Sequence, residues 1–262
     1  MNCPPPDYII WNINETEEEL RKSLSYPEYF AEKIANLKPG SRRLLEVLAV
    51  RRAMKELFYG EEQEVVYDEH GKPSLKAGKP YISISHTHGY AAVISSDVPV
   101  GIDIERLGNR VEKVVSHFLK PEELVTLALY SDTIPSLRSL PSYRKVSPVF
   151  LRSLPSCKKV SPDFLRSLPS CRKVSPDSLQ SLPASKKVSS LFLHVAWSAK
   201  EAAFKILGQE YYDLQHLTTI SYVDIAQKTM LLNVKGRRRP LIVHYDYTED
   251  YVLAWVQDDR DK

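Results

Sequence analysis

The chain has 262 residues, 36 Lys and Arg against 33 Asp and Glu, a formal net charge of +3 and 43% hydrophobic residues. That length holds one large domain or two small ones with a sizeable core, and no apolar run approaches the roughly 20 residues that a membrane-spanning helix needs. The three cysteines (Cys3, Cys157, Cys171) form no metal-ligand pair and no disulfide framework, which implies a reducing compartment.

The opening Met1-Asn2-Cys3-Pro4-Pro5-Pro6 lacks a basic start and an apolar stretch, so a soluble, cytoplasmic protein is expected. Tyr8 to Trp11 reads as a short strand, and Glu15 to Pro27 as a helix. Pro39-Gly40-Ser41 is a stop-and-restart signal. It predicts a helix from Ser41 to Leu57 with Leu44, Leu45, Leu48, Met54 and Leu57 on its apolar face. Arg42, Arg43, Arg51 and Arg52 sit off that face, either as a solvated surface or as anchors for a polyanion, since guanidinium suits phosphate geometry.

Val65 to Asp68 is a short strand. Two Gly-Lys-Pro turns follow, Gly71-Lys72-Pro73 and Gly78-Lys79-Pro80. Tyr81 to Ser85 alternates apolar and small polar residues as a strand does, and ends at Ser85-His86, a turn device or a pair of phosphate donors. Tyr90 to Ser95 is its return strand. Val100-Gly101-Ile102-Asp103-Ile104-Glu105 is the next strand. Residues i and i+2 of a strand share a face, so Asp103 and Glu105 present two carboxylates together. Either one acid meets solvent and the other a basic side chain, or a hard cation such as Mg²⁺ sits between them. Val111 to Tyr130 is helical in pattern, interrupted at Pro121.

Residues 136–190 differ from the rest. Four units of about fourteen residues repeat, Ser136–Val149, Phe150–Asp163, Phe164–Asp177 and Ser178–Ser190, around Leu-Pro and Lys-Val-Ser. They carry eleven Lys and Arg against two Asp, a net of +9, while the remainder is net −6. Two prolines in most copies, with few apolar residues, argue against a stacked solenoid and for a disordered surface insert. Leu191 to Gly208 is predicted as a helix, with Ser198 and Glu201 as an N-terminal capping box and Gly208 as its stop. Glu201 and Lys205, four apart, share a face. Four strands follow, Thr219–Val223, Met230–Val234, Leu241–Tyr247 and Tyr251–Gln257, with Gly236-Arg237-Arg238-Arg239 as a solvated basic turn.

Paired acids on a strand, a Glu/Lys pair on a later helix, a strand-end Ser-His and an Arg-rich helix suit one chemistry: metal-assisted attack on a phosphoryl centre. The chain here resembles the 4′-phosphopantetheinyl transferases, of the single-chain Sfp-like type. The resemblance rests on Val100-Gly101-Ile102-Asp103-Ile104-Glu105, on Trp197-Ser198-Ala199-Lys200-Glu201-Ala202-Ala203-Phe204-Lys205, and on Gly71-Lys72-Pro73 followed by Ser83-Ile84-Ser85-His86. It covers roughly residues 8–130 and 191–257, and not the repeats.

The resemblance implies an α/β (α+β) fold of two similar subdomains with pseudo-twofold symmetry, residues 1–99 binding coenzyme A and residues 100–262 holding the metal and catalytic groups, interrupted by the 136–190 insert. It implies transfer of 4′-phosphopantetheine from coenzyme A to a serine of an acyl or peptidyl carrier protein, with release of adenosine 3′,5′-bisphosphate. Asp103, Glu105 and Glu201 would hold Mg²⁺. Glu201 would also take the serine proton, directly or through water, and Lys205 would hold a phosphate. Ser85, His86, Arg43 and Arg51 would bind coenzyme A phosphates, with Lys72 in the adenine-side loop and the stripe around Phe118 at the carrier contact. A monomer without membrane or nucleic-acid partner is expected. The competing expectation is a catalytically impaired homologue whose basic insert binds an anionic macromolecule.

Overall fold

Two antiparallel sheets pack face to face, each with a helix on its far side. The computed structural model describes residues 6–131, 188–208 and 213–258. The repeats up to residue 187 fall outside these, and with them the expectation of a disordered insert. In chain order the elements are β1 (Asp7–Asn12), α1 (Glu17–Lys22), a 3-10 turn (Pro27–Tyr29), α2 (Ala31–Ile34), α3 (Arg42–Leu57), β2 (Val65–Tyr67), β3 (Pro73–Leu75), β4 (Tyr81–Thr87), β5 (Tyr90–Ser96) and β6 (Val100–Arg106). Then come α4 (Val111–Phe118), α5 (Pro121–Tyr130), α6 (Ser190–Leu207), α7 (Leu214–Leu217), β7 (Thr218–Asp224), β8 (Thr229–Val234), β9 (Leu241–Tyr247) and β10 (Tyr251–Gln257). The described chain is thus mixed α/β, with seven α-helices among the described residues.

The first sheet has the order β1-β5-β4 and the second β6-β10-β9-β8-β7, with β2-β3 a separate ribbon. Period-two alternation sends each strand's side chains into two different cores. Ile9, Trp11 and Val93 pack with Leu44, Leu48 and Met54 of α3. From the opposite face of the same strands, Tyr8, Ile10 and Ile94 pack with Ile102, Ile104, Leu253 and Trp255 of the second sheet. That sheet's far face, through Val252, Ala254 and Val256, packs with Phe192, Val195 and Ala199 of α6. The layers therefore run α3, first sheet, second sheet, α6. The chain changes sheets between β5 and β6.

The helix starts follow their caps. Ser41 accepts from the Leu44 N–H at the start of α3. Lys120 and Pro121 break the helical stretch into α4 and α5 because proline suits a first turn and not an interior one. Three sequence expectations are corrected here. Ser198 is not a cap: it is buried in the middle of α6, whose N-cap is Ser189, accepting from the Phe192 N–H. Residues 188–190, read as the end of the insert, belong to the fold, for Val188 packs on the core beneath α6. The Ser189 N–H also donates to Ser131 Oγ at 3.2 Å, so the two ends of the intervening segment meet. In the basic turn, Arg237 is not solvated; it makes paired hydrogen bonds to Asp258, both at 2.9 Å.

Candidate active site

The sheet and α6 bring two stretches of sequence about a hundred residues apart into contact. Gly101 makes this possible. A Cβ built there would lie 2.0 Å from the Ala202 carbonyl oxygen and 3.2 Å from Ile206 Cγ1, so only glycine lets the helix backbone settle on β6. Gly208 ends the helix with φ of 89°, a conformation that favours glycine. With α6 thus seated, the odd positions of β6 face it. Lys205 Nζ donates to the Ile102 carbonyl at 2.6 Å and to Asp103 Oδ1 at 3.0 Å.

Asp103 is 5% exposed. Its Oδ1 also accepts from Ser85 Oγ at 2.9 Å, while Oδ2 is buried without a hydrogen-bond partner. A buried carboxylate oxygen left bare costs free energy. Glu105 accepts from Trp197 Nε1 at 3.3 Å. Burial, then the Asp103 charge and to a lesser degree Glu201, push its carboxyl up to about 7. Glu201 is pushed up to about 7 by burial and by Asp103. Three carboxylates thus share one electrostatic neighbourhood, in which the Asp103 charge raises both Glu105 and Glu201. Among the described residues no three His, Cys, Asp or Glu side chains stand in ready-made metal-holding geometry. The donor set is nonetheless all hard oxygen, and Asp103 Oδ2 wants a partner, which fits a small divalent cation in kind.

A cationic rim adjoins the acids. Arg43, from α3, reaches the His86 ring at Nε2, and His86 Nδ1 lies 3.2 Å from Glu46 Oε2. Arg42 and Arg43 flank the buried Glu46 at 3.4 and 3.6 Å. Burial, with Arg43 and Lys205 beside it, pushes His86 down to about 4, so the ring is neutral near pH 7. Glu46 therefore braces a site whose outward charge is the Arg42 and Arg43 guanidinium pair.

The structure does not bring every sequence-predicted residue to this point. Arg51 is 5% exposed, on the inner side of α3, where its guanidinium donates to Tyr67 Oη at 3.1 Å; it lies neither off the apolar face nor beside the acids. Lys72 lines a cleft of about 430 Å³ with Tyr81, Ile82, Val100, Ile206 and Asp258. Ile82 is three residues from Ser85 and Val100 three from Asp103, so the cleft opens about 10 Å along the strands from the acids. Phe118, expected at a partner contact, is 1% exposed and packs edge-on against Trp197 with centroids 5.0 Å apart. α4 turns that ring inward because its other end, Val111, is buried in the same core.

Two residues escaped the sequence reading. Lys200, next to Glu201, is fully buried with Glu123. Its ammonium donates to Glu123 Oε2 at 2.9 Å, to the Phe118 carbonyl at 2.7 Å and to the Leu214 carbonyl at 3.4 Å. Glu123 in turn accepts from the Ile220 and Lys120 N–H groups. A Lys surrounded by Ala and Phe on a helix was the available signal. No known protein-family profile matches the chain, and no curated protein matches it either.

Proposed function

We propose that the protein is a Mg²⁺-dependent transferase that moves 4′-phosphopantetheine from coenzyme A to a serine of an acyl or peptidyl carrier protein. The observation that carries the reading is that Asp103, Glu105 and Glu201 share one electrostatic neighbourhood, with Asp103 Oδ2 buried and unpartnered and Lys205 bonded to Oδ1 beside it. The two stretches that meet there are those on which the family resemblance rests. The finer fold, two subdomains related by a pseudo-twofold axis, belongs to the same proposal.

Asp103 Oδ2, Glu105 and Glu201 would hold the cation. When bound, it would neutralise charge on the pyrophosphate and on the leaving phosphate. Lys205 has three N–H donors, of which two are used on Ile102 and Asp103. The third is available to a phosphate oxygen. Arg43 and Arg42 supply charge at the rim for a polyanionic donor. In the reaction the acceptor serine oxygen forms a bond to the phosphorus that bears pantetheine. The bond from that phosphorus to the bridging oxygen breaks, adenosine 3′,5′-bisphosphate leaves, and the serine proton passes to Glu201, directly or through water.

The test is the intact mass of an apo carrier protein after incubation with this protein, coenzyme A and Mg²⁺. A phosphopantetheine-sized gain that vanishes with EDTA is expected. Asp103→Ala is expected to give no gain while its far-ultraviolet circular dichroism and melting stay those of a folded protein. Transfer retained in that variant refutes the metal assignment; no transfer by the wild type to any of several carriers refutes the reaction.

A further inference from the structure

The hydroxyls of β4 run as a rail along β6. Ser83 Oγ accepts from the Ile102 N–H at 3.2 Å, Ser85 Oγ from Ile104 at 3.2 Å and Thr87 Oγ1 from Arg106 at 3.3 Å. β6 is an edge strand of its sheet. Every second N–H of such a strand points away from its one backbone neighbour and needs an acceptor. β4 meets that need with side chains at the same period of two. The middle rung differs from its neighbours, because Ser85 Oγ also donates to Asp103 Oδ1 at 2.9 Å. A serine hydroxyl owns one hydrogen and two lone pairs. In Ser85 the hydrogen is committed to a carboxylate and a lone pair to the strand, which leaves no donor for a phosphate.

We propose that Ser85 is a positioning residue: it locks Asp103 through Oδ1 onto β6 and so leaves Oδ2 as the oxygen offered to a cation, rather than contacting an anionic ligand itself. The cation half of this inference rests on the magnesium reading above. Ser83 supplies the matched control. It is buried like Ser85 and carries an identical rung, but it makes no hydrogen bond to an acid.

Calorimetric titration of Mn²⁺ alone, and of coenzyme A alone with EDTA present, into wild type, Ser83→Ala, Ser85→Ala and Ser85→Thr decides the matter. Both alanine variants are expected to melt a few degrees lower, each having lost one buried acceptor. Only Ser85→Ala is expected to bind Mn²⁺ more weakly, by about tenfold, as removal of an outer-shell partner does, and Ser85→Thr to restore it. Coenzyme A affinity is expected to stay within about twofold of wild type in all of them, a tenfold change being the scale of one lost contact of about 1.4 kcal/mol. Weakened coenzyme A binding with unchanged Mn²⁺ binding in Ser85→Ala overturns the proposal. Should wild type bind no Mn²⁺, the magnesium reading fails by itself. The Ser85–Asp103 lock is then decided by urea denaturation of Ser85→Ala, Asp103→Asn and the double variant. Losses for that pair that do not add, beside additive losses for Ser83→Ala with Asp103→Asn, uphold it; additive losses for both overturn it.

Discussion

At the scale of single residues, burial decides which titrating groups matter. His244 stacks on Trp255 with centroids 5.5 Å apart, and burial pushes it down from 6.5 to about 4. The unfolded chain takes up that proton as pH falls through 6.5, and the folded chain only near 4. Stability is therefore expected to fall between these values and to level below them, by up to about 3 kcal/mol from this group. Urea midpoints taken across that window should show a shallower decline in His244→Gln than in wild type. An equal slope in both would remove His244 as a contributor. The acids of the site were legible because spacing alone puts Asp103 and Glu105 on one face of a strand. Arg51 was not legible. A guanidinium on a helix shows its surroundings only once Tyr67, from a distant strand, is seen to accept from it.

At the scale of elements, α6 is held from both sides. On one side Gly101 admits its backbone. Gly101→Ala would drive a methyl group into the Ala202 carbonyl, and a loss of about 3 kcal/mol is expected, seen as a melting point lower by several degrees. On the other side Lys200 ties α6 to the ends of α4 and α5, to α7 and to β7. Lys200→Met leaves the Glu123 carboxylate buried without its counter-charge, at a cost of about 3–5 kcal/mol. Adding Glu123→Leu is expected to recover most of that loss, since an apolar pair of similar volume replaces a buried ion pair with little penalty. Thermal melts of the single and double variants check this, and no recovery would mean that the hydrogen bonds to Ile220 and Lys120, rather than the charge pair, carry the stability. The sequence predicted this helix and its Gly208 stop, yet set its cap at Ser198. The Ser-x-x-Glu pattern there satisfies the local rule for a capping box. What overrides it is the apolar run from Leu191, buried on all sides by α4 and the second sheet. The rungs of β4 on β6 were hidden for a related reason. Alternating serines predict a strand and say nothing of which edge they will meet.

At the scale of the whole molecule, the described residues on either side of the repeats meet where Ser131 Oγ accepts from the Ser189 N–H. Removal of residues 132–187, with a linker of about three residues, is expected to leave both the melting point and the proposed transfer activity close to wild type. Removal through residue 190 is expected to destabilise, by about 1 kcal/mol for the lost cap and more for the packing of Val188. Differential scanning calorimetry of the two deletions separates them, and equal stability would show that the Ser189 cap is dispensable. The join has a consequence for how the gene can change. Each copy carries Lys-Val-Ser near its end, at Ser147, Ser161, Ser175 and Ser189, and it is the last of these that caps α6. A replication slip that adds or drops one whole copy hands the helix the same Val-Ser start. Closing a longer segment between joined ends costs only about 0.6 kcal/mol for each doubling of its length. Gain or loss of whole copies is therefore expected to leave the Ser189 cap of α6 intact.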